Sequence, residues 1–531
     1  MIGKLLAAGV VLLVTVGPVA MAADEKEAVE LPKIFNEPIP LYSKGLGTFT
    51  RSISTANPEA QAYFNQGFQM MYAFAKQDAT RSFREAHKRD PNCAICFWGE
   101  AWSWGSYLNG PMGKKEAPHA YAAIQKAIEL AKDHANPLEQ AFIEALAVRY
   151  VEDFDPEKRL EQDKPYAEAM GKLAERFPED LDAATLYAEA LFVMEPRRGE
   201  RDIHDPDVKR LHGVLEAILR KDIRHPGACH HYIHATESTV DPGKAEACAE
   251  FIGNSIPGAS HINHMPSHTW NEIGRWSDSV RANIQAWHSD LKADVDEGFA
   301  IYPSHNLHML LFAASMDGQG AIAIQAGKDY AKLTGNPLYH LATLIRFGRF
   351  DEVAAISERP KETVAAGFWD FAHGYARLRL GEADFAEAHL NRLEELRHEP
   401  AQFRFHQGCD LLGVLAAILR GEIRRERGDL DGAIRSFEVG VALDDGLVYD
   451  EPEPLPFAAR HWLGAALLEV ERFSDAERVY RDELVDHPHN GWSLFGLRQA
   501  LEGQGKRSAE VDADFEESWA RSDSWLRGSR F

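Results

Sequence analysis

Histidine and glutamate recur at helical intervals in one part of this chain. The stretch HPGACHHYIHATE, residues 225 to 237, sets His230, His234 and Glu237 four and three residues apart, which is one face of a helix. Downstream, SHINHMPSH carries His261, His264 and His268 at the same kind of spacing, and PSHNLH carries His305 and His308. Neutral imidazole is the commonest protein ligand for transition metals, and residues four apart on a helix can hold one ion between them. His230, His234, Glu237, His261, His264, His268, His305 and His308 are therefore candidate metal ligands. Seven imidazoles exceed what one tetrahedral ion needs. The pattern asks for two or more ions, or for some histidines that orient ligands or touch a substrate. His231 lies one residue off the shared face and is expected to point elsewhere.

These residues leave the metal open. Two histidines with Glu237 would suit an iron site with free positions, whereas an all-imidazole set suits zinc or copper. Met265 and Met309 each follow a site histidine, and thioether ligands would favour copper, but both are expected to pack between helices. Cys93 and Cys96, in CAIC, could bind a second metal, act as a redox pair or form a disulfide. Phe97 stands where c-type haem attachment needs histidine, which excludes haem. There is no HExxH, no serine nucleophile elbow and no phosphate-binding loop. Any enzyme activity would be that of a metal-dependent oxidoreductase or hydrolase.

Helices must position these side chains, and the chain supplies them as repeats. In GFQMMYAFAKQDATRSFREAHKRDP, Gly67, Ala79, Phe83, Ala86 and Pro91 fit a 34-residue tetratricopeptide register, with small residues where two helices touch and proline where the second ends. The register returns at Gly374, Ala386 and Leu390, at Gly421, Ala433 and Phe437, and at Gly464, Ala476, Tyr480 and Pro488. Looser copies fill the middle. Ala245, Ala249 and Pro257 follow the first histidine stretch, and Gly274-Arg275-Trp276 and Gly348-Arg349-Phe350 read as turns between paired helices. No run alternates apolar and polar residues long enough for a sheet. The predicted fold is all-α, a right-handed superhelical solenoid of about a dozen antiparallel helix pairs, each stacked on its neighbours alone. Residues 23–55 read as an extended lead-in, 56–330 as an N-terminal array bearing the histidines, and 331–531 as a C-terminal array with a capping helix.

The first residues, MIGKLLAAGVVLLVTVGPVAMAADEKE, read as a secretory signal peptide: a lysine, an apolar run from Leu5 to Ala20, and an A-x-A site with cleavage expected after Ala22. No later stretch is apolar enough to span a membrane. A periplasmic or secreted protein is expected. A net charge of -24 repels phosphate backbones, so nucleic acid is not expected as a partner. Five cysteines in 531 residues do not make a disulfide framework.

The sequence resembles the exported tetratricopeptide-repeat proteins of bacteria that carry four recurring blocks, here DPNCAICFWGEAW, HHYIHATE, HINHMPSH followed by GRW, and YPSHNLH, with GWSLFGL closing the array. It departs from them at His231, where tyrosine is usual, and at Cys229, where asparagine is usual. The resemblance covers nearly the whole mature chain and carries no activity with it. In such arrays positions 2, 5, 9 and 12 of each first helix line the concave groove, and the resemblance puts all eight candidate ligands at those positions. The expected function is an exported solenoid that binds or uses a transition metal in its groove. The alternative is an interaction scaffold that takes a peptide or protein there without metal chemistry.

Overall fold

In the computed structural model, residues 30 to 531 are described, apart from 197, 198 and 296; the signal segment, residues 1–22, lies outside this range. Local chemistry sets where helices begin. Asn57, Asn136 and Asp205 each accept hydrogen bonds from first-turn N–H groups, and each is followed by proline, whose missing N–H is no loss there. Between paired helices the chain turns through one left-handed residue. This residue is Phe74, Gly274, Gly318, Gly348, Gly381, Gly428, Glu471 or Gly505. In each case the next N–H bonds back to the carbonyl five residues earlier, as in Ala75 to Met70 and Glu382 to Arg377. Close approach explains other glycines: a Cβ on Gly464 would sit 2.4 Å from the Tyr480 ring, and one on Gly67 2.9 Å from Phe83.

Among the described residues the α-helices fall in sequence into twelve pairs, if Ser260–His264 and Pro266–Glu272 are taken as one helix interrupted at Pro266. The fold is thus an all-α solenoid. Its only β-strands among the described residues form a hairpin of two two-residue strands, Gln402–Phe403 and His406–Gln407. Before the first long helix, the chain from 36 to 57 runs without regular structure. The Gln66 and Gln69 amides satisfy its backbone, with Tyr42 N–H at 2.9 Å and Gly47 N–H at 2.7 Å. No helix among the described residues is long and apolar enough to cross a membrane.

Stacking on neighbours alone does not hold. The superhelix coils until its last repeats rest on its middle ones. Trp276 Nε1 donates to the Pro488 carbonyl at 2.9 Å, and Trp492 Nε1 to the Ser315 carbonyl at 2.8 Å. The Asp523 carboxylate accepts from Gly320 and Ala321 N–H at 2.8 and 2.9 Å, capping the helix Gly320–Thr334. Groups left unpaired at helix ends by one repeat are satisfied by another 177 to 212 residues away in sequence. The apolar core divides accordingly, one large cluster ending at Ile301 and another beginning at Trp276.

Candidate metal centre

The helix Pro226–Thr236 starts where His225 Nδ1 accepts from Ala228 N–H at 3.1 Å, while the other ring nitrogen faces Asp182 at 3.1 Å. A disulfide from Cys229 to Cys248 fastens this helix to the next, a second pair that the sequence did not suggest. The next histidine stretch breaks at Pro266, which cannot donate a helical hydrogen bond, and at the break Ser267 Oγ donates to the His264 carbonyl at 2.6 Å. Across the break His264 and His268 still meet, with ring centroids 4.7 Å apart. The third helix, Pro303–Met316, follows Tyr302, which is left-handed with φ 56°.

The histidines are not solvated groove residues but core. His230, His234, Glu237, His261, His264, His268 and His308 are all buried, and His305 alone among the candidate ligands is half-buried. The groove is filled from within. The segment between helices Leu430–Asp444 and Arg460–Glu469 crosses to the histidines, and Glu451 Oε2 reaches 3.8 Å from His268 Nδ1. Arg404 at the hairpin tip holds this segment by a two-pronged pair with Asp450, at 2.6 and 2.7 Å.

Six imidazoles form two triads. His230, His234 and His261 make one, and His264, His268 and His305 the other; within each, one ligand atom per residue lies within 4.8 Å of the rest. His234, Glu237, His268 and Glu451 form a linking group on the same criterion. Hydrogen bonds orient the rings. Glu237 stands between the triads, with its Oε1 2.8 Å from His234 Nδ1 and its Oε2 2.5 Å from His268 Nδ1. His230 Nδ1 donates to the Tyr72 carbonyl at 2.6 Å. Fixing Nδ1 in this way directs Nε2 to an ion, the usual role of a carboxylate or carbonyl behind a metal-binding histidine. His268 Nε2 and His264 Nε2 are 3.1 Å apart. Two nitrogens on one tetrahedral ion, each about 2.05 Å from it, would be about 3.3 Å apart.

Burial, and then the neighbouring imidazoles, hold the pKa values of His261, His264 and His305 well below the usual histidine range. Their lone pairs are therefore available at neutral pH. His261 is the sharpest case. It is 1% exposed, and neither ring nitrogen has a hydrogen-bond partner among the described residues. Burying an imidazole unpaired is costly, and a coordinated ion removes that cost.

His308 does not join the triads. One turn beyond His305, it stacks on Tyr339 at 4.0 Å, and its Nδ1 lies 3.2 Å from Arg404. His231 is buried but belongs to neither triad, and burial lowers its pKa to about 3. Cys93 and Cys96 are joined as a disulfide, so neither offers a thiolate. Met265 and Met309 pack in the interior. Glu451 has no signal in its local sequence that would have pointed to the site.

No known protein family matches the chain, nor does any curated protein. Among solved structures, the human IFIT1 dimer with m7Gppp-AAAA is similar at 12% identity and a TM-score of 0.30, covering 88% of this chain and 91% of that one. The APC/C hetero-tetramer Cut9-Hcn1 is similar at 12% identity and a TM-score of 0.29, covering 89% of this chain and 78% of that one. Likeness at this level says nothing about what this chain binds.

Proposed function

We propose that this helical-repeat protein carries a two-ion transition-metal centre, one ion in each histidine triad. The observation that carries the reading is His261, buried among imidazoles with both ring nitrogens unpartnered among the described residues. Three imidazoles per ion suit zinc, copper or iron, with Glu237 orienting His234 and His268. The competing reading is a scaffold whose groove holds an extended peptide. The space such a peptide would need beside the histidines is taken by the chain's own Asp450 and Glu451. Untagged protein is dialysed against zinc or copper at neutral pH and its bound metal counted. Two ions per chain support the centre; no uptake, with capture of a peptide, favours the scaffold.

Export into a periplasm or the medium belongs to the same proposal. Its support is the signal-like segment 1–22 together with two buried cysteine pairs, which persist in oxidising compartments. Cell fractionation with N-terminal sequencing tests it: an uncleaved cytoplasmic chain would overturn it.

A further inference from the structure

The two triads differ in what surrounds them. Phe74 lies over the first, its ring centroid 4.0 Å from His230, 5.5 Å from His261 and 6.1 Å from His234. Tyr302 closes on His261 at 5.1 Å and is pinned by a 2.7 Å hydrogen bond between its hydroxyl and that of Tyr107. All three histidines of this triad are buried. Among the described residues, the rings packed against His264, His268 and His305 are other histidines only. Here His305 is half-buried, and so are Tyr302, Pro303 and Ser304 just before it. The left-handed turn at Tyr302 that lays its ring over the first triad leaves His305 at the rim of the second.

Three protein ligands leave a fourth position on either ion, and that position exchanges its ligand only where its side of the site is open. We infer that the triads divide the work on these lines. The ion of His230, His234 and His261 is sealed. The ion of His264, His268 and His305 accepts a small one-atom donor beside His305: water, hydroxide or a small anion. The inference rests on the two-ion reading above and assigns the reactive end of that centre.

Untagged protein loaded with cobalt(II) is titrated with azide and followed by visible absorption, and the cobalt is then withdrawn with EDTA. Azide should change the spectrum saturably in the wild type and in His231→Ala, and not in His305→Ala. EDTA should remove one ion at least about tenfold faster than the other, and His305→Ala should abolish the slow-and-fast pattern by losing the fast ion. An azide response that survives in His305→Ala, or two bound ions that ignore azide, would overturn the division. If His305→Ala does not fold, the wild-type kinetics decide alone: two phases uphold the inference and one phase for both ions refutes it. A chain that binds no cobalt at all would instead strike the two-ion reading itself.

Discussion

The repeat at the N-terminal edge of the histidines and the repeats of the C-terminal half turn the chain with the same hydrogen bond but not with the same residue. At Gly348, Gly381 and Gly428 the left-handed residue is glycine, which adopts that conformation without strain. At the equivalent place beside the histidines it is Phe74, with φ 60°. Tyr302 and Arg404 are also left-handed without being glycine; one covers His261 and the other holds the segment that brings Glu451 to His268. Of the five such residues in the described chain, three surround the centre. Strain at Phe74, Tyr302 and Arg404 accompanies a side chain that is aimed, whereas at Glu471 the same left-handed backbone serves only a turn.

The comparison can be broken at several strengths. The largest effect is expected from His264→Ala, which removes a ligand from the middle of the cluster. Metal affinity should fall by about 100-fold or more while His231→Ala leaves it unchanged, as counted by equilibrium dialysis. Phe74→Gly relieves the backbone but forfeits a ring packed on several histidines, so denaturation should show a net loss of about 3 kcal/mol. A pH-dependent loss of similar size is expected from Glu189, whose carboxyl is pushed up to about 7 by burial, against the pull of Arg149, Trp102 and Lys76. A raised acid pKa means the fold favours the protonated form. Its contribution, on the order of 3 kcal/mol, is present below about pH 4.5 and lost as pH rises through about 7. Glu189→Gln should flatten that dependence in denaturant titrations across the range. Glu451→Gln should weaken metal binding about 10- to 100-fold although it lies in the C-terminal half; unchanged affinity would show the halves to be separable. The smallest effect sharpens the comparison most. Glu471 is left-handed and exposed, so Glu471→Gly should stabilise by about 1 kcal/mol, the strain of the Phe74 turn without its ring.

Helix pairing was legible because Gly67, Ala79, Phe83 and their later counterparts mark where helices touch. The shared face of His230, His234 and Glu237 was legible from spacing alone. Which faces meet was not. His308 obeys the same register as His305 yet lies about 4.5 Å farther along its helix, enough to pass from the second triad to Tyr339 and Arg404. Burial was hidden as well, since the register describes a groove and says nothing of what fills it. Glu451 lies in a connection without periodicity, and only closure of the superhelix carries it to His268. Cys229 and Cys248 stand in separate helices, and their nearness follows from packing that spacing does not encode.

The reach of Glu451 also fixes an order of events. A polypeptide is made from its N-terminus, and the first triad needs nothing beyond His261 while the linking group needs residue 451. During synthesis the earlier histidines can gather long before their last carboxylate exists, and contacts so distant in sequence form slowly. A nascent chain halted before residue 451 would present imidazoles without the carboxylate that lies beside His268. The linking group of His234, Glu237, His268 and Glu451 is therefore complete only in a chain whose last quarter has folded back.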